Sequence, residues 1–359
     1  MTVIARDAAS GMWRVFQRPL RLIVAREIDE VLPALEELER ECLHRGRYAA
    51  GFLAYEAAPA FDAALTTQPA GDFPLLWFGV YDGAETRTLE ELGPRTDAGA
   101  HDEHWEPSIS AGRYAEVFDR IQELIRSGET YQVNYTYRMR TVLASEPFSV
   151  FLRLTDQQRP PFGAYVDTGD WVICSASPEL FFHRAGDRIE SRPMKGTAAR
   201  GLWFEQDIEN ASRLRDSEKE RAENVMIVDM VRNDLGRVAR PGSVRVTSVF
   251  DVERHPTVLQ LTSTVAAETN ASLPDVMRAL FPAASITGAP KARTMDIIAG
   301  IECSPRHIYT GTIGFVEPGG RAQFNVAIRT VLCNRATGQA EYGVGGGIVA
   351  DSNRQAEWN

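Results

Sequence analysis

The chain has 359 residues, of which 44% are hydrophobic and 25% charged, and its formal net charge is −10. These proportions are ordinary for a globular protein and exclude disorder of the whole chain. The acidic balance disfavours nonspecific binding to nucleic acid, which needs a basic surface, and attachment to an anionic membrane. If the ligand is an anion, the cations that bind it must therefore be concentrated locally.

Cysteine usage and hydropathy indicate the compartment. The four cysteines are scattered along the chain and form no C-x-x-C pair. This pattern predicts reduced cysteines rather than metal ligands. The first residues lack the apolar core of a signal peptide, and the apolar windows are too short to span a bilayer. We expect a cytoplasmic protein without nucleic-acid or membrane partners.

The N-terminal part offers one clear element and one candidate boundary. Leu32, Leu35 and Leu38 keep a helical spacing that predicts a helix over 30–44, with Pro33 in its first turn. The segment 93–112 is rich in Gly, Pro, Ser and Asp and is the best linker candidate. We therefore divide the chain into a short N-terminal region, 1–105, packing on a core, 106–359.

The remainder mixes strand and helix patterns irregularly. Apolar spacing predicts a helix from Tyr114 that ends at Gly128. A long helix is also expected over 217–235. Pro290 is expected at the first position of a helix that runs to Ile301. Strands are expected at 133–139, 163–167, 171–175, 180–184, 188–192, 243–250, 258–266, 313–316, 322–332 and 340–349, and another helix at 273–281. This succession favours an α+β fold with mainly antiparallel sheet.

Two residues could carry acid–base or nucleophilic chemistry. Lys195 stands between Pro and Gly, apparently in a loop after a strand, where a desolvated amine could act as nucleophile or base. A solvated loop lysine is the more common alternative. Glu179 precedes three apolar residues, a setting that could raise its pKa. On this feature alone, a plain carboxylate at a strand edge is the more common case.

Acidic residues in the long helix could bind a metal. Glu220 and Glu223 are three positions apart on one helical face, and paired carboxylates suit Mg²⁺. Ser217 and Glu220 also fit a capping box, which would give Glu220 a structural role.

Glycine-bearing loops and a lone arginine suggest ligand contacts. The segment from Ser285 precedes a helix and could bind an anion through backbone N–H groups. The glycines at 343–347 do not complete a dinucleotide-binding motif, so they indicate a bulge, close packing or a ligand near bare backbone. Arg329 lies in an apolar, strand-like run and needs a carboxylate from the protein or from a ligand.

The order of these motifs resembles the chorismate-utilising enzyme family, over most of the chain from about Tyr114 onwards. The matching segments are GETYQVN (128–134), SASPELFF (175–182), PMKGT (193–197), EKERAENVMIVDMVRNDLGRV (218–238), SITGAPKARTMDII (285–298), YTGTIGF (309–315), NVAIRT (325–330) and GVGGGIVADS (343–352). The resemblance implies two large, mostly antiparallel sheets in a single α+β unit, chorismate as substrate and Mg²⁺ as cofactor.

Two positions indicate the branch of the family. Lys195 matches the lysine of the aminodeoxychorismate synthases, where anthranilate and isochorismate synthases have alanine. Gln132 matches a lysine that activates water in isochorismate and salicylate synthases, and glutamine cannot deprotonate water. The resemblance therefore implies amination of chorismate at C4 through a covalent Lys195 intermediate, with ammonia from a separate glutaminase subunit and Glu179 as general acid and base.

The remaining site residues are also implied by the resemblance. Glu220, Glu223 and Glu357 match metal-site acids. The substrate contacts implied are Tyr309, Arg329, the backbone at Gly345 and Gly347, and, in matching motifs, Ser285 and Thr197.

Three features depart from the family pattern. Gln260 replaces a frequent histidine that bears on the leaving hydroxyl. The sequence ends just after Glu357, before a further metal-site glutamate, which suggests a truncated sequence, an incomplete metal site or a fused lyase module. The N-terminal region lacks the tryptophan-inhibition motif.

Two alternatives stay open. One is anthranilate synthase component I, against which Lys195 argues. The other is a non-catalytic subunit that binds chorismate or serves as a scaffold.

Overall fold

The computed structural model describes residues 1–93 and 103–358. It contains two ten-stranded sheets with helices around them, and the strand pairs are antiparallel. The prediction of an α+β fold with two large, mainly antiparallel sheets is therefore confirmed. Part of the predicted linker, 94–102, lies outside the described residues. The rest is partly structured, because Glu106–Pro107 pairs with a strand and Ser110 caps a helix.

The strands are, in chain order, β1 (Thr2–Arg6), β2 (Trp13–Gln17), β3 (Arg21–Ala25), β4 (Tyr48–Leu53), β5 (Leu76–Tyr81), β6 (Glu85–Arg87), β7 (Glu106–Pro107), β8 (Gln132–Val142), β9 (Ala164–Asp167), β10 (Trp171–Ser175), β11 (Leu180–Ala185), β12 (Arg188–Arg192), β13 (Met194–Ala199), β14 (Arg245–Arg254), β15 (Val258–Glu268), β16 (Gly288–Ala289), β17 (Thr312–Val316), β18 (Ala322–Asn325), β19 (Thr330–Asn334) and β20 (Gln339–Ile348).

The helices are α1 (Ile28–Arg45), α2 (Leu89–Leu92), α3 (Ala111–Arg126), α4 (Pro147–Gln158), α5 (Phe204–Asp216), α6 (Glu218–Gly236), α7 (Leu273–Leu280), α8 (Lys291–Ile301) and α9 (Arg354–Trp358). Short 3₁₀ turns occur at Tyr55–Ala60 and Ala284–Ile286. Among the described residues, none of these helices is long and apolar enough to cross a membrane.

Strands from both ends of the chain share both sheets. The first sheet has the order β16-β8-β20-β19-β10-β9-β1-β2-β6, with β7 on β8. The second has the order β13-β15-β12-β11-β18-β17-β4-β5-β3, with β14 on β15. Because β1 pairs with β9 and β4 with β17, the N-terminal strands extend the sheets of the remainder.

The core follows from the two-residue period of the strands. Val3 and Ala5 of β1 pack with Phe52 and Phe315 of the second sheet, so this face lies between the sheets. Ile4 points the other way and joins the cluster that contains Phe151 of α4. Helices α1, α6 and α7 contribute to a separate cluster with the second sheet, and α3 and α8 to one with β8.

Most predicted elements are present with small shifts in their ends, but several predictions were wrong. The strand predicted over 322–332 is two strands in different sheets, β18 and β19, and Arg329 between them has a left-handed φ of 51°. Pro33 lies beyond the first turn of α1, which burial of residues such as Leu35 and Leu38 stabilises. Pro290 caps α8 rather than opening it. Helices α2, α4, α5 and α9 were not predicted.

Candidate functional site

A cleft of about 510 Å³ lies between β20 of the first sheet, β13 and β15 of the second sheet, and helix α6. Of the twelve catalytic, substrate-binding and metal-site residues expected from the sequence, eleven line it: Glu179, Lys195, Thr197, Glu220, Glu223, Ser285, Tyr309, Arg329, Gly345, Gly347 and Glu357. Gln132, the twelfth, lies against the same strand. The tertiary structure therefore gathers in one place residues that are far apart in the sequence.

Lys195 is held on a strand, not in the loop that the sequence suggested. It belongs to β13, and its Nζ lies 3.5 Å from the Glu223 Oε2 of α6. The Asn224 amide donates to the Lys195 carbonyl oxygen at 3.3 Å and accepts from the Ser263 hydroxyl at 2.6 Å. The sequence analysis did not identify Asn224. Its polar side chain on the buried face of α6 is the feature that could have identified it. The strand and the helix thus fix the lysine together.

The side-chain amide of Gln132 is buried beside Gly347. Its side chain is fully buried, and neither Nε2 nor Oε1 has a hydrogen-bond partner among the described residues. A Cβ at Gly347 would lie 3.2 Å from the Gln132 Cδ and would also collide with the Lys195 Nζ. The missing side chain at Gly347 therefore allows the amide and the amine to lie over the same bare backbone. An unpaired buried amide usually marks a ligand or water position.

Glu179 has the environment of a general acid. The carboxyl group is buried, and burial raises its pKa to about 7, against the opposing effects of its hydrogen bonds and of the Lys195 charge. The Ser285 hydroxyl donates to Oε1 at 2.6 Å, and the Met194 backbone N–H also contacts the carboxyl group. The apolar setting suggested by the sequence has the expected electrostatic effect. Ser285 thus contacts Glu179 directly, and Thr197 is exposed on β13 at the rim.

Three acids, Glu220, Glu223 and Glu357, also line the cleft. Burial raises the pKa of Glu220, and the charges of Glu223 and Glu357 raise it further. The Ser217 hydroxyl accepts from the Glu220 backbone N–H, which is the capping half of the predicted box. The Glu220 carboxylate itself lines the cleft, where a Cβ at Gly196 would approach its Oε2 to 2.9 Å. Two of the acids also have partners, because Glu223 pairs with Lys195 and Glu357 accepts from Ser352.

This donor set is compatible with Mg²⁺. Among the described residues, no three His, Cys, Asp or Glu side chains form a ready cluster for a metal ion. Mg²⁺, however, often takes only one or two carboxylates from the protein and completes its shell with water and substrate oxygens. Burial, and then the charge of Glu223, raise the pKa of Glu220, and a bound divalent cation would offset both effects.

Cationic and aromatic groups occupy the other end of the cleft. The Arg329 guanidinium donates to the Gln260 Oε1 at 3.3 Å, and no carboxylate in the described part of the chain is within ion-pair distance. Burial lowers the pKa of Arg329. The carboxylate that the sequence required is thus not supplied by a described residue, which favours an anionic ligand. Gln260 has a direct role in orienting this arginine.

Tyr309 packs onto strand β20 where glycine leaves room. A Cβ at Gly343 would collide with its ring, and the Arg138 guanidinium lies 5.1 Å from the ring centroid. Burial raises the pKa of Tyr309 to about 12, so its hydroxyl stays protonated at neutral pH. Gly345 has a φ of 149°, and a Cβ there would clash with the backbone of β8. Close packing therefore accounts for the glycine-rich strand, which also leaves backbone exposed in the cleft.

A buried ion pair, Arg306 with Glu302, lies behind the residues that line the cleft. Arg306 is fully buried and pairs with Glu302 at 2.7 Å. It also donates to the carbonyl oxygens of Ile286 at 2.9 Å and Asn134 at 2.8 Å, two residues that line the cleft. The sequence signal for this pair was its spacing of four residues. Lys219, another lining residue that we did not single out, has the same spacing to Glu223.

Comparisons with known proteins agree with this geometry. The profile of the family described as chorismate binding enzyme matches residues 6–359. Aminodeoxychorismate synthase component 1 of Salmonella typhimurium is 42% identical over 256 residues, which cover 71% of this chain and 56% of that protein. An anthranilate synthase component 1 of Haloarcula marismortui is 40% identical over 256 residues, 71% of this chain and 52% of that protein. The matched part thus spans about half the length of these relatives.

The fold is also similar to that of a solved structure from this family. Anthranilate synthase component I from Streptococcus pneumoniae superposes with a TM-score of 0.82 at 25% identity, covering 96% of this chain and 88% of that chain. Since the family profile matches nearly the whole chain, the sequence resemblance is confirmed. The protein belongs to the family of chorismate-binding enzymes.

Proposed function

We propose that this chain is the synthase subunit of an aminodeoxychorismate synthase, which replaces the C4 hydroxyl of chorismate by an amino group. The observation that carries the proposal is Lys195, whose amine lies over bare Gly347 beside the unpaired Gln132 amide. Anthranilate synthases are expected to have alanine at this position. The similarity to aminodeoxychorismate synthases of several bacteria supports the same branch.

In the proposed reaction, the neutral Lys195 amine attacks C2 of the ring. The ring double bond shifts, the C4–O bond breaks, and Glu179 donates its proton so that the hydroxyl leaves as water. Ammonia then adds at C4, the double bond shifts back, and the C2–N bond breaks to release Lys195. The proton lost by the added ammonia returns to Glu179. The sum is chorismate plus ammonia giving 4-amino-4-deoxychorismate plus water.

Glu179 has the environment that this role requires. A carboxyl group with a pKa near neutrality can both donate and accept a proton at physiological pH. The Ser285 hydroxyl orients it. The Lys195 Nζ lies 3.5 Å from Glu223 Oε2 in the free protein. Attack on the ring requires the free lone pair of this amine.

Chorismate is a dicarboxylate, and the cleft offers two places for carboxylates. Arg329, oriented by Gln260, would take one, with Tyr309 and the backbone at Gly345 nearby. Mg²⁺ held by Glu220 and Glu223, with Glu357 close by, would supply positive charge for the other. This arrangement provides the local cations that an acidic protein needs to bind a dianion.

The ammonia is proposed to come from a glutaminase subunit. The relatives are named component 1, a name that implies a second component in those proteins. Glutamine-dependent turnover should therefore require an added glutaminase partner, whereas a high concentration of ammonium salt should bypass it.

Product identification tests the proposal. The purified chain is incubated with chorismate, Mg²⁺ and ammonium salt, and the products are analysed by mass spectrometry. A product that keeps the enolpyruvyl group and carries an amine at C4 is expected. Anthranilate with pyruvate would assign the chain to the other branch, and binding of chorismate without any turnover would favour the non-catalytic alternative.

Substitution of Lys195 tests the covalent step. Lys195→Ala removes the nucleophile and should abolish or sharply reduce amination at C4. Lys195→Arg is the matched control, because it keeps a positive charge for Glu223 but cannot supply a neutral amine. Both variants should be inactive, and wild-type rates in either would contradict the lysine intermediate.

A further inference from the structure

One acid of the cleft, Glu357, is carried by a very short helix. Helix α9 has five residues, and the Glu357 carboxylate lines the cleft together with Glu220 and Glu223. A Cβ at Gly346 would lie 3.4 Å from the Glu357 Oε2, so this oxygen lies over bare backbone of β20. A helix of this length is not stable through its own hydrogen bonds, because nucleation orders several residues for each bond formed. Contacts with the rest of the fold must therefore hold Glu357 in place.

The turn between β20 and α9 fixes the first end of this helix. The Val349 N–H donates to the Ser352 hydroxyl at 3.2 Å, and the Gln122 amide of α3 donates to the Val349 carbonyl oxygen at 2.8 Å. The Asn353 Oδ1 accepts from two backbone N–H groups of α9. The Ser352 hydroxyl donates to the Glu357 Oε1 at 2.8 Å. These bonds fix the start of α9 but not its other end.

The other end of α9 is held by an aromatic contact. The Trp358 ring centroid lies 4.9 Å from that of Tyr114 on α3 and 5.5 Å from that of Tyr137 on β8, and it is stacked on Tyr137. The two tyrosines also contact each other at 6.2 Å, so they form one receptor for the indole. Trp358 packs here against the apolar cluster of α3, β8 and α8. None of these three rings lines the cleft.

An ion pair adds little to this aromatic contact. Arg354 of α9 lies 3.0 Å from Asp119 of α3, but both side chains are exposed. Exposed ion pairs contribute little to stability because solvent screens them and two flexible side chains must be ordered. Packing of a tryptophan between aromatic rings buries much more surface and prefers defined ring geometries. The indole is therefore the main constraint on the end of α9 that carries Glu357.

We propose that Trp358 is a positioning residue that holds the Glu357 carboxylate at the cleft and thereby sets the affinity for a divalent cation. The proposal rests on the metal site of the proposed function, to which Glu357 belongs. Without the indole, the end of α9 is released, and the carboxylate is no longer held beside Glu220 and Glu223. Loss of a group that supports a metal ligand typically weakens metal binding about 10–100-fold.

Titration with Mn²⁺, followed by electron paramagnetic resonance of the free ion, tests this role. Mn²⁺ accepts the same carboxylate and water oxygen ligands as Mg²⁺. Trp358→Ala should raise the dissociation constant for Mn²⁺ about tenfold or more, and Trp358→Tyr, which keeps an aromatic ring, should restore most of the affinity. Trp203→Ala is the control, because it removes an indole that is 59% exposed, and should leave Mn²⁺ binding unchanged.

A double variant shows whether Trp358 acts through Glu357. Glu357→Gln alone should weaken Mn²⁺ binding, and adding Trp358→Ala should weaken it little further, because both changes act on the same carboxylate. Hydrogen–deuterium exchange separates release of α9 from unfolding. In Trp358→Ala the backbone amides of 353–358 should exchange faster than in the wild type, whereas those of α3 should stay protected.

Four results would overturn the proposal. They are unchanged Mn²⁺ affinity in Trp358→Ala, an equal loss in Trp203→Ala, additive losses in the double variant, and unchanged exchange over 353–358. Absence of Mn²⁺ binding by the wild type would reject both this proposal and the metal site on which it rests. If the wild type aminates chorismate with Mg²⁺ while Trp358→Ala binds Mn²⁺ normally, the positioning role alone is rejected and the proposed function stands.

Discussion

Removal of the Arg306 guanidinium is predicted to destabilise the protein strongly. Arg306 and Glu302 are almost fully buried and are joined by two hydrogen bonds, of 2.7 and 3.1 Å. Arg306 also donates to the carbonyl oxygens of Asn134 and Ile286 and to the Thr310 hydroxyl. This one side chain therefore connects β8, the 3₁₀ turn at Ala284–Ile286 and the segment that carries Tyr309.

The magnitude follows from what Arg306→Met leaves behind. Breaking a buried ion pair by removing one partner costs about 3–5 kcal/mol, because the other charge stays buried. Each orphaned buried carbonyl group adds about 1–3 kcal/mol, although these effects overlap. Glu302 keeps hydrogen bonds from Thr136 and a 3.6 Å contact with Arg138, which reduces the penalty. We expect a loss of about 4 kcal/mol in the free energy of unfolding.

Urea denaturation of a double-mutant cycle is the appropriate assay. Arg306→Met, Glu302→Gln and the double variant are compared with the wild type. The double variant should be less destabilised than the sum of the single variants by about 1–3 kcal/mol, because it leaves no unpaired charge. Arg232→Met is the control, since Arg232 pairs with Asp229 on an exposed helical surface.

The reasoning would be refuted by a small effect. If Arg306→Met destabilised the protein no more than Arg232→Met, the buried pair would not hold these segments together. Simple additivity in the cycle would equally contradict a direct interaction between Arg306 and Glu302. A folded but inactive Arg306→Met variant would show that the contacts to Asn134 and Ile286 matter mainly for the cleft.

The other predictions concern the cleft. Glu179→Gln should lower kcat by about 10²–10⁴-fold, and a loss well below tenfold would remove Glu179 from acid–base catalysis. Because burial raises the pKa of Glu179 to about 7, its protonated form is depleted above that pH. The wild-type kcat/KM should therefore fall as pH rises through about 7, whereas Glu179→Gln should not show this fall. The folded protein holds the Glu179 proton more tightly than the unfolded chain does. The free energy of unfolding of the wild type should therefore decrease as pH rises from the ordinary carboxyl pKa to about 7, and urea denaturation at a series of pH values can measure this. Gly347→Ala should displace the Lys195 amine and lower the turnover rate about 10²-fold. Gly346→Ala is the control and should lower it less, because a Cβ there has its nearest contact at 3.4 Å. Equal losses in the two variants would contradict the role of Gly347 in positioning Lys195. Chelation with EDTA should stop turnover and Mg²⁺ restore it, with a higher Mg²⁺ requirement in Glu220→Gln, whereas full activity in EDTA would exclude the metal.

Local periodicity was sufficient for many elements. The apolar spacing along α3 predicted this helix to within a few residues, because one helical face must be buried. The ends of α6 were also predicted to within a residue. Ser217 was correctly placed at the start of α6, since its hydroxyl accepts from a free N–H of the first turn. The sequence pattern failed at 322–332, where a largely apolar run conceals a change of sheet at Arg329. Burial on both sides of the turn makes its residues look like one strand.

The sequence by itself determined the chemical inventory: a lysine, an isolated glutamate, paired acids and glycines in an order that identifies the family. Only the tertiary structure decided their environment. Desolvation raises the pKa of Glu179, and Gln132 has no described partner for its amide. The Lys195 amine reaches its position because the Gly347 backbone has no side chain. The physical reason is that desolvation and electrostatic interaction depend on distances across the two sheets, whereas the periodicity of a sequence reports only which face of each element is buried.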